Sequence, residues 1–132
     1  MKKKTKLLLD KQLVFEIIQE AISSKKGEEP VLLDLTDIKT ASFDYFVVAS
    51  GNSFTQVDAI ANEIIDQLQE NLNLKPYHTE GFNNSEWILL DYYSILVHIF
   101  LKEKREHYQL EELWADAKFT NLEDNGKQTT TK

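Results

Sequence analysis

The sequence predicts one α/β (α+β mixed sheet) domain of about five strands with helices packed on the sheet, in the order α-β-β-α-β-β-β-α. Three observations carry this. The chain has 132 residues, enough for a sheet and a few helices to share one core. Segments with a helical apolar period alternate with short apolar runs of strand length, which makes the sheet partly parallel around the second helix. The composition, 42% hydrophobic and 28% charged, is that of a globular chain.

The first helix is read from Leu9, Leu13, Val14, Ile17, Ile18, Ala21 and Ile22, which share one stripe while Gln12, Glu16, Gln19 and Glu20 face water. Ser23-Ser24-Lys25-Lys26-Gly27 supplies its stop, and Pro30 blocks continuation. Val31-Leu32-Leu33-Asp34-Leu35 is almost wholly apolar, as expected of a central strand covered on both faces. The polar stretch 36–42 leads to a second strand, Tyr45-Phe46-Val47-Val48-Ala49-Ser50, through either a hairpin or an arch. Gly51-Asn52-Ser53 exits that strand, with Asn52 or Ser53 placed to cap the next helix.

That helix has the clearest pattern in the chain. Val57, Ile60, Ala61, Ile64, Ile65, Leu68 and Leu72 form its stripe and Asp58, Glu63, Asp66 and Glu70 lie off it, so its apolar face must rest on the sheet. Asn71 to Pro76 ends it, and Tyr77-His78-Thr79-Glu80 makes a short third strand. Residues 87–91 and 95–101 are two further strands joined in a hairpin at Tyr92-Tyr93-Ser94. The last helix is read over residues 104–118, with Leu110, Leu113, Trp114 and Ala117 on one side, which makes Trp114 a core residue. Domain organisation follows: residues 1–8 a basic flexible N-terminus, 9–119 the folded domain, 120–132 a polar tail expected to be disordered.

Net charge is −7, unevenly spread: residues 1–11 hold five lysines and one aspartate, or +4, which leaves −11 on the rest. An acidic body repels phosphate backbones, disfavours direct nucleic-acid binding and favours a basic protein surface, ribosomal proteins among them; plain solubility is the simpler account of the same charge. No cysteine is present, which excludes disulfides, thiolate zinc sites and a cysteine nucleophile. The N-terminal lysines precede only three leucines, short of the roughly 7–15 apolar residues of a secretory signal. No apolar run approaches the roughly 18 residues of a membrane span. A soluble cytoplasmic protein is expected.

Gly51-Asn52-Ser53 before a long helix invites a phosphate-binding reading, but it matches neither GxGxxG nor GxxxxGK[ST]. Nucleotidyltransferases also use a strand–Gly-x-Ser–helix turn, together with two carboxylates at i and i+2 on a strand for Mg²⁺. No two acidic residues in this chain are spaced i, i+2. His78, His98 and His107 have no HxH or HExxH spacing, so no metal is expected. Within Val97-His98-Ile99 the alternation turns His98 away from its neighbours, toward a hydrogen-bonded core or a functional face. A Ser53-His98-Asp91 triad lacks the GxSxG elbow. Trp87, Tyr92, Tyr93, Tyr108 and Trp114 give the second half a high aromatic density. Rings beside acidic residues make good anchors against Arg- or Lys-bearing partners.

Taken in order, Asp34-Leu35, Asp44-Tyr45-Phe46-Val47-Val48-Ala49-Ser50-Gly51-Asn52-Ser53, Gln56-Val57 with Ala59-Ile60-Ala61, Glu80-Gly81, Glu86-Trp87 with Leu90-Asp91, Val97-His98-Ile99-Phe100 and Arg105-x-x-Tyr108-x-Leu110-Glu111-x-Leu113-Trp114 are similar to the Iojap-related ribosomal silencing factor family, called RsfS in bacteria. The resemblance covers residues 9–117. It implies a nucleotidyltransferase-like fold without the catalytic carboxylates, and a protein that is not an enzyme and has no cofactor. It also implies binding to the large ribosomal subunit through its fourteenth ribosomal protein. That contact would block small-subunit joining and repress translation, with a further role in large-subunit maturation; the free protein would be a homodimer.

Carried over by position, Trp87 is the expected aromatic anchor, Asp91 and Glu111 the acidic contacts with Tyr92 near them, and His98 and Tyr108 match motif residues that could equally shape the sheet. The chain departs from the family at Tyr93-Ser94, where Gly-Asp is usual. Two other readings are carried beside it: a metal-dependent nucleotidyltransferase-like enzyme with an atypical pair from Asp34, Asp37 and Asp44, and a homodimeric scaffold unrelated to ribosomes.

Overall fold

The computed structural model describes residues 11–108 and 117–122. Helix α1 (Lys11–Ser24) buries Val14, Phe15, Ile18, Ala21 and Ile22. Phe15 thus joins the core stripe, and Leu13, expected there, is 43% exposed. The helix stops where Lys26 turns left-handed (φ 61°) and the Gly27 N–H reaches back to the Ile22 carbonyl. A Cβ on Gly27 would sit 2.6 Å from Ile22 Cγ2.

Strand β1 (Glu28–Asp34) starts earlier than expected and includes Pro30. The register shifts between Glu28 and Val31, and Glu29 has φ 50°. Proline is tolerated because the strand is bulged there. Strand β2 (Tyr45–Gly51) pairs antiparallel with β1 after the 35–44 connection, and all seven of its residues are buried. The central strand covered on both faces is therefore β2; β1 is only partly buried.

Helix α2 (Phe54–Leu72) is capped by Ser53, whose Oγ accepts from the Gln56 N–H. It ends at Asn73 in the left-handed region, with Leu74 N–H bonded to the Leu68 carbonyl. Strands β3 (His78–Glu80), β4 (Trp87–Tyr92) and β5 (Ile95–Leu101) follow, then helix α3 (Lys102–Tyr108) and strand β6 (Lys118–Asn121). The sheet order is β3-β4-β5-β2-β1-β6, antiparallel throughout except for the β2–β5 pair. The described residues form six strands, where about five were expected. Lys118 belongs to β6 rather than to the last helix, and Thr120 and Asn121, read as the start of a tail, pair with Leu32 and Val31. The rest of that helix, with Leu110, Leu113 and Trp114, and the tail beyond 122 lie outside the described residues, as does the basic 1–8 segment.

The two faces of the sheet differ. On one, α1 and α2 bury a continuous core with Val47, Ala49, Ile88, Leu90, Tyr92, Ile95, Val97 and Ile99. On the other, Leu33, Leu35, Phe46, Val48, Phe100 and Ala117 form a second cluster edged by half-buried Phe43, Trp87 and Leu96. Arg105 ties α3 to the β1 bulge: its Nη1 donates to the Glu29 carbonyl (2.8 Å) and to Ser50 Oγ (3.2 Å). No helix among the described residues is long and apolar enough to cross a membrane.

Candidate functional site

Alternation along β4 decides what each side chain faces. Trp87, Leu89 and Asp91 are half-buried on the face away from α1 and α2, whereas Ile88, Leu90 and Tyr92 are fully buried beneath the helices. Tyr92, grouped with Asp91 in the sequence reading, is therefore a core residue. Its hydroxyl is buried without a partner among the described residues, and burial, helped by Asp66, pushes its pKa well above the ordinary phenol value. It cannot reach a partner from the folded state.

Trp87 is held from three sides. Its indole stacks on Phe100 with centroids 4.9 Å apart and planes 23° apart. Its Nε1–H donates to His98 Nδ1 at 3.1 Å. The backbone leading into it is set by the 81–86 loop, in which Gly81 takes φ 93° and Ser85 φ 56°, with Ser85 N–H bonded to the Gly81 carbonyl. A Cβ at position 81 would lie 2.1 Å from the Trp87 carbonyl oxygen, so only glycine fits there. The Glu86 carbonyl accepts from Leu101 N–H at 2.9 Å, which locks the loop exit to β5.

His98 turns away from Val97 and Ile99, as its alternation requires, and its ring packs edge-on to Phe46 at 4.5 Å. It is 3% exposed, and burial lowers its pKa from 6.5 to about 3. The imidazole is neutral at physiological pH.

Asp91 is half-buried at the far end of β4. Its Oδ1 accepts from the Tyr93 N–H at 2.8 Å. Tyr93 is the first residue of the two-residue connection between paired Tyr92 and Ile95, with φ 73°. That is the position where such hairpins favour glycine, and tyrosine stands there in this chain. Tyr93 holds it through the Asp91 bond and a ring contact with Tyr77 at 5.4 Å. Tyr77, 70% exposed, and Leu89, between Trp87 and Asp91, are surface features the sequence reading missed; a period of two along β4 was signal enough for Leu89. Strand β3 runs beside β4, pairing His78 with Asp91 and Glu80 with Leu89. Exposed Glu80 and half-buried Glu86 and Asp91 thus border the apolar strip. Glu86 also meets Lys104 at 3.7 Å, a surface pair of little energetic weight. Tyr108 is the last residue described in α3; its side chain and the whole of Glu111 lie outside the described residues.

The residues of the other readings sit elsewhere. Asp34 Oδ1 accepts from Thr36 N–H and Oγ–H, and Asp37 pairs with Lys118 at 3.3 Å. Among the described residues no three His, Asp or Glu side chains converge as metal ligands. The α2 N-terminus is capped by its own chain: Gln56 Oε1 accepts from Asn52 N–H (2.6 Å), and its Nε2 donates to the Lys25 and Lys26 carbonyls. Glu28 lies against Asn52, an unfavourable neighbour for a phosphate. Strand exit and helix cap account for this turn.

Comparison with known proteins points one way. A family model described as "Ribosomal silencing factor during starvation" matches residues 9–132. The ribosomal silencing factor RsfS of Bacillus subtilis is 37% identical over 115 residues, covering 87% of this chain and 96% of that protein. A crystal structure of a protein from Chromobacterium violaceum superposes with a TM-score of 0.73 at 33% identity, over 79% of this chain and 85% of that one. One from Bacillus halodurans superposes with 0.69 at 36% identity, over 78% and 94%.

Proposed function

This chain belongs to the RsfS family of ribosomal silencing factors, and from that premise we propose that it represses translation by docking the Trp87–Leu89–Asp91 face on the large ribosomal subunit. The partner is the subunit's fourteenth ribosomal protein, and a domain seated there leaves no room for the small subunit to join. The observation that carries this reading is the apolar strip of Trp87 and Leu89 bordered by Glu80, Glu86 and Asp91. A half-buried aromatic ring on a strip bordered by carboxylates suits a basic protein surface, where the ring supplies contact area and cation–π attraction and the acids supply steering. The free protein is a cytoplasmic homodimer in this reading, and the chain acts by occupancy rather than catalysis, so its excess over ribosomes sets the effect.

The test is co-sedimentation with isolated large and small subunits, then with both under joining conditions. Binding to the large subunit alone, with loss of the joined peak, is the expected result. Binding without loss of joining would favour a role in large-subunit maturation, and absence of binding would overturn the proposal. Trp87→Ala should weaken large-subunit binding roughly ten-fold or more while leaving the circular dichroism spectrum unchanged. Wild-type affinity in that variant would remove Trp87 from the contact.

A further inference from the structure

His98 is buried, yet it holds the indole that is not. An indole nitrogen can only donate, so in the 3.1 Å contact with Trp87 Nε1 the His98 Nδ1 is the unprotonated acceptor and the ring proton sits on Nε2. That Nε2 is buried and has no hydrogen-bond partner among the described residues. The imidazole lies nearly parallel to Phe100, 9° between planes, and Phe100 in turn stacks on the indole. Phe100 therefore sets the plane of the Trp87 ring, and Nδ1 sets its rotation within that plane. A leucine at 98 would supply apolar packing and would remove a buried, unpaired N–H, which is unfavourable for stability. Packing thus does not account for an imidazole at this position; the acceptor does.

We propose that His98 is a positioning residue that fixes the Trp87 indole in one orientation on the face away from α1 and α2 and so contributes to partner binding without touching the partner. The proposal rests on the reading of Trp87 as the anchor. Fixing a side chain before association removes the ordering cost at the moment of binding. A side chain at 98 with no acceptor would remove this restraint on the rotation of the Trp87 ring.

The test uses the full chain carrying Trp114→Phe, so that Trp87 is the one remaining indole of two. In ¹⁵N-labelled protein a scalar coupling across the hydrogen bond should join Trp87 Nε1 to His98 Nδ1, and the indole proton should exchange slowly with water. His98→Asn, which places an amide oxygen near the Nδ1 position, should keep the slow exchange; His98→Leu should lose it. His98→Leu should also lower large-subunit affinity roughly ten-fold, as Trp87→Ala does, with no further loss when the two are combined. Its melting temperature should hold or rise, and His98→Asn should recover most of the binding. A protonated Nδ1, or wild-type binding by His98→Leu beside a weakened Trp87→Ala, would overturn the proposal. Wild-type binding by Trp87→Ala would instead overturn the docking reading and with it the partner half of this one; the orientation half then stands or falls on the coupling.

Discussion

Burial of the His98 imidazole has a consequence for acid stability. Its pKa falls from 6.5 to about 3 because the charged form is desolvated. The unfolded chain therefore binds a proton between those two values that the folded protein does not, and stability must fall as pH drops through that window. The slope reaches about 1.4 kcal/mol per pH unit for a single such group, and above pH 6.5 the effect vanishes. Urea midpoints measured from pH 7 to pH 4 should show this limb in the wild type and a flatter one in His98→Leu. An unchanged slope would place the acid sensitivity in another group. At this scale the sequence was only partly legible. The period of two turned His98 away from Val97 and Ile99 correctly, and the same rule places Trp87 and Asp91, four apart, on one face. Applied strictly it also puts Tyr92 on the opposite face, where the structure has it. What no alternation reveals is that the His98 acceptor meets an indole eleven residues away, because that contact depends on the β4–β5 register.

Between strands β3 and β4, six residues carry the geometry that aims Trp87. Gly81 has φ 93° and no room for a Cβ, so Gly81→Ala must either distort the loop or shift β4. We expect a loss of more than about 2 kcal/mol, since a strained left-handed residue alone costs 1–3. This corresponds to a fall of roughly 5–10 °C in melting temperature, accompanied by a change in Trp87 fluorescence. A variant that melts like the wild type would show that the loop can relax without cost. Helix α2 was legible because its stripe of Val57, Ile60, Ala61, Ile64 and Leu68 repeats over about three turns and all five are buried. Strand β6 was not: Lys118–Asn121 is four residues long, exposed at every position, and has no alternation to read. It exists because β1 would otherwise leave an edge open, and Phe119 and Thr120 are good strand formers. A likewise hidden term placed β2 rather than β1 at the centre of the sheet. Both runs are apolar, and only pairing with β5 separates them.

Over the whole molecule, α1 and α2 cover one face of the sheet and the Trp87 strip lies on the other, with −11 of charge on residues 12–132. An acidic body approaching a basic partner is steered by long-range attraction, which salt screens within about 10 Å at 0.1 M. The association rate with large subunits should therefore fall as monovalent salt is raised, while dissociation changes less. A rate indifferent to salt would leave the apolar contact as the sole driver. The single parallel pair has its own consequence for how the protein is made. Strand β2 is complete at Gly51, but its partner β5 begins only at Ile95. At roughly 5–20 residues per second, synthesis of the intervening stretch takes about 2–9 s. During that interval a nascent chain carries a seven-residue apolar strand with one edge unpaired, a target for chaperones and for neighbouring nascent chains on the same messenger. The Trp87 strip on β4 can thus take its final form only after β5 is complete at Leu101.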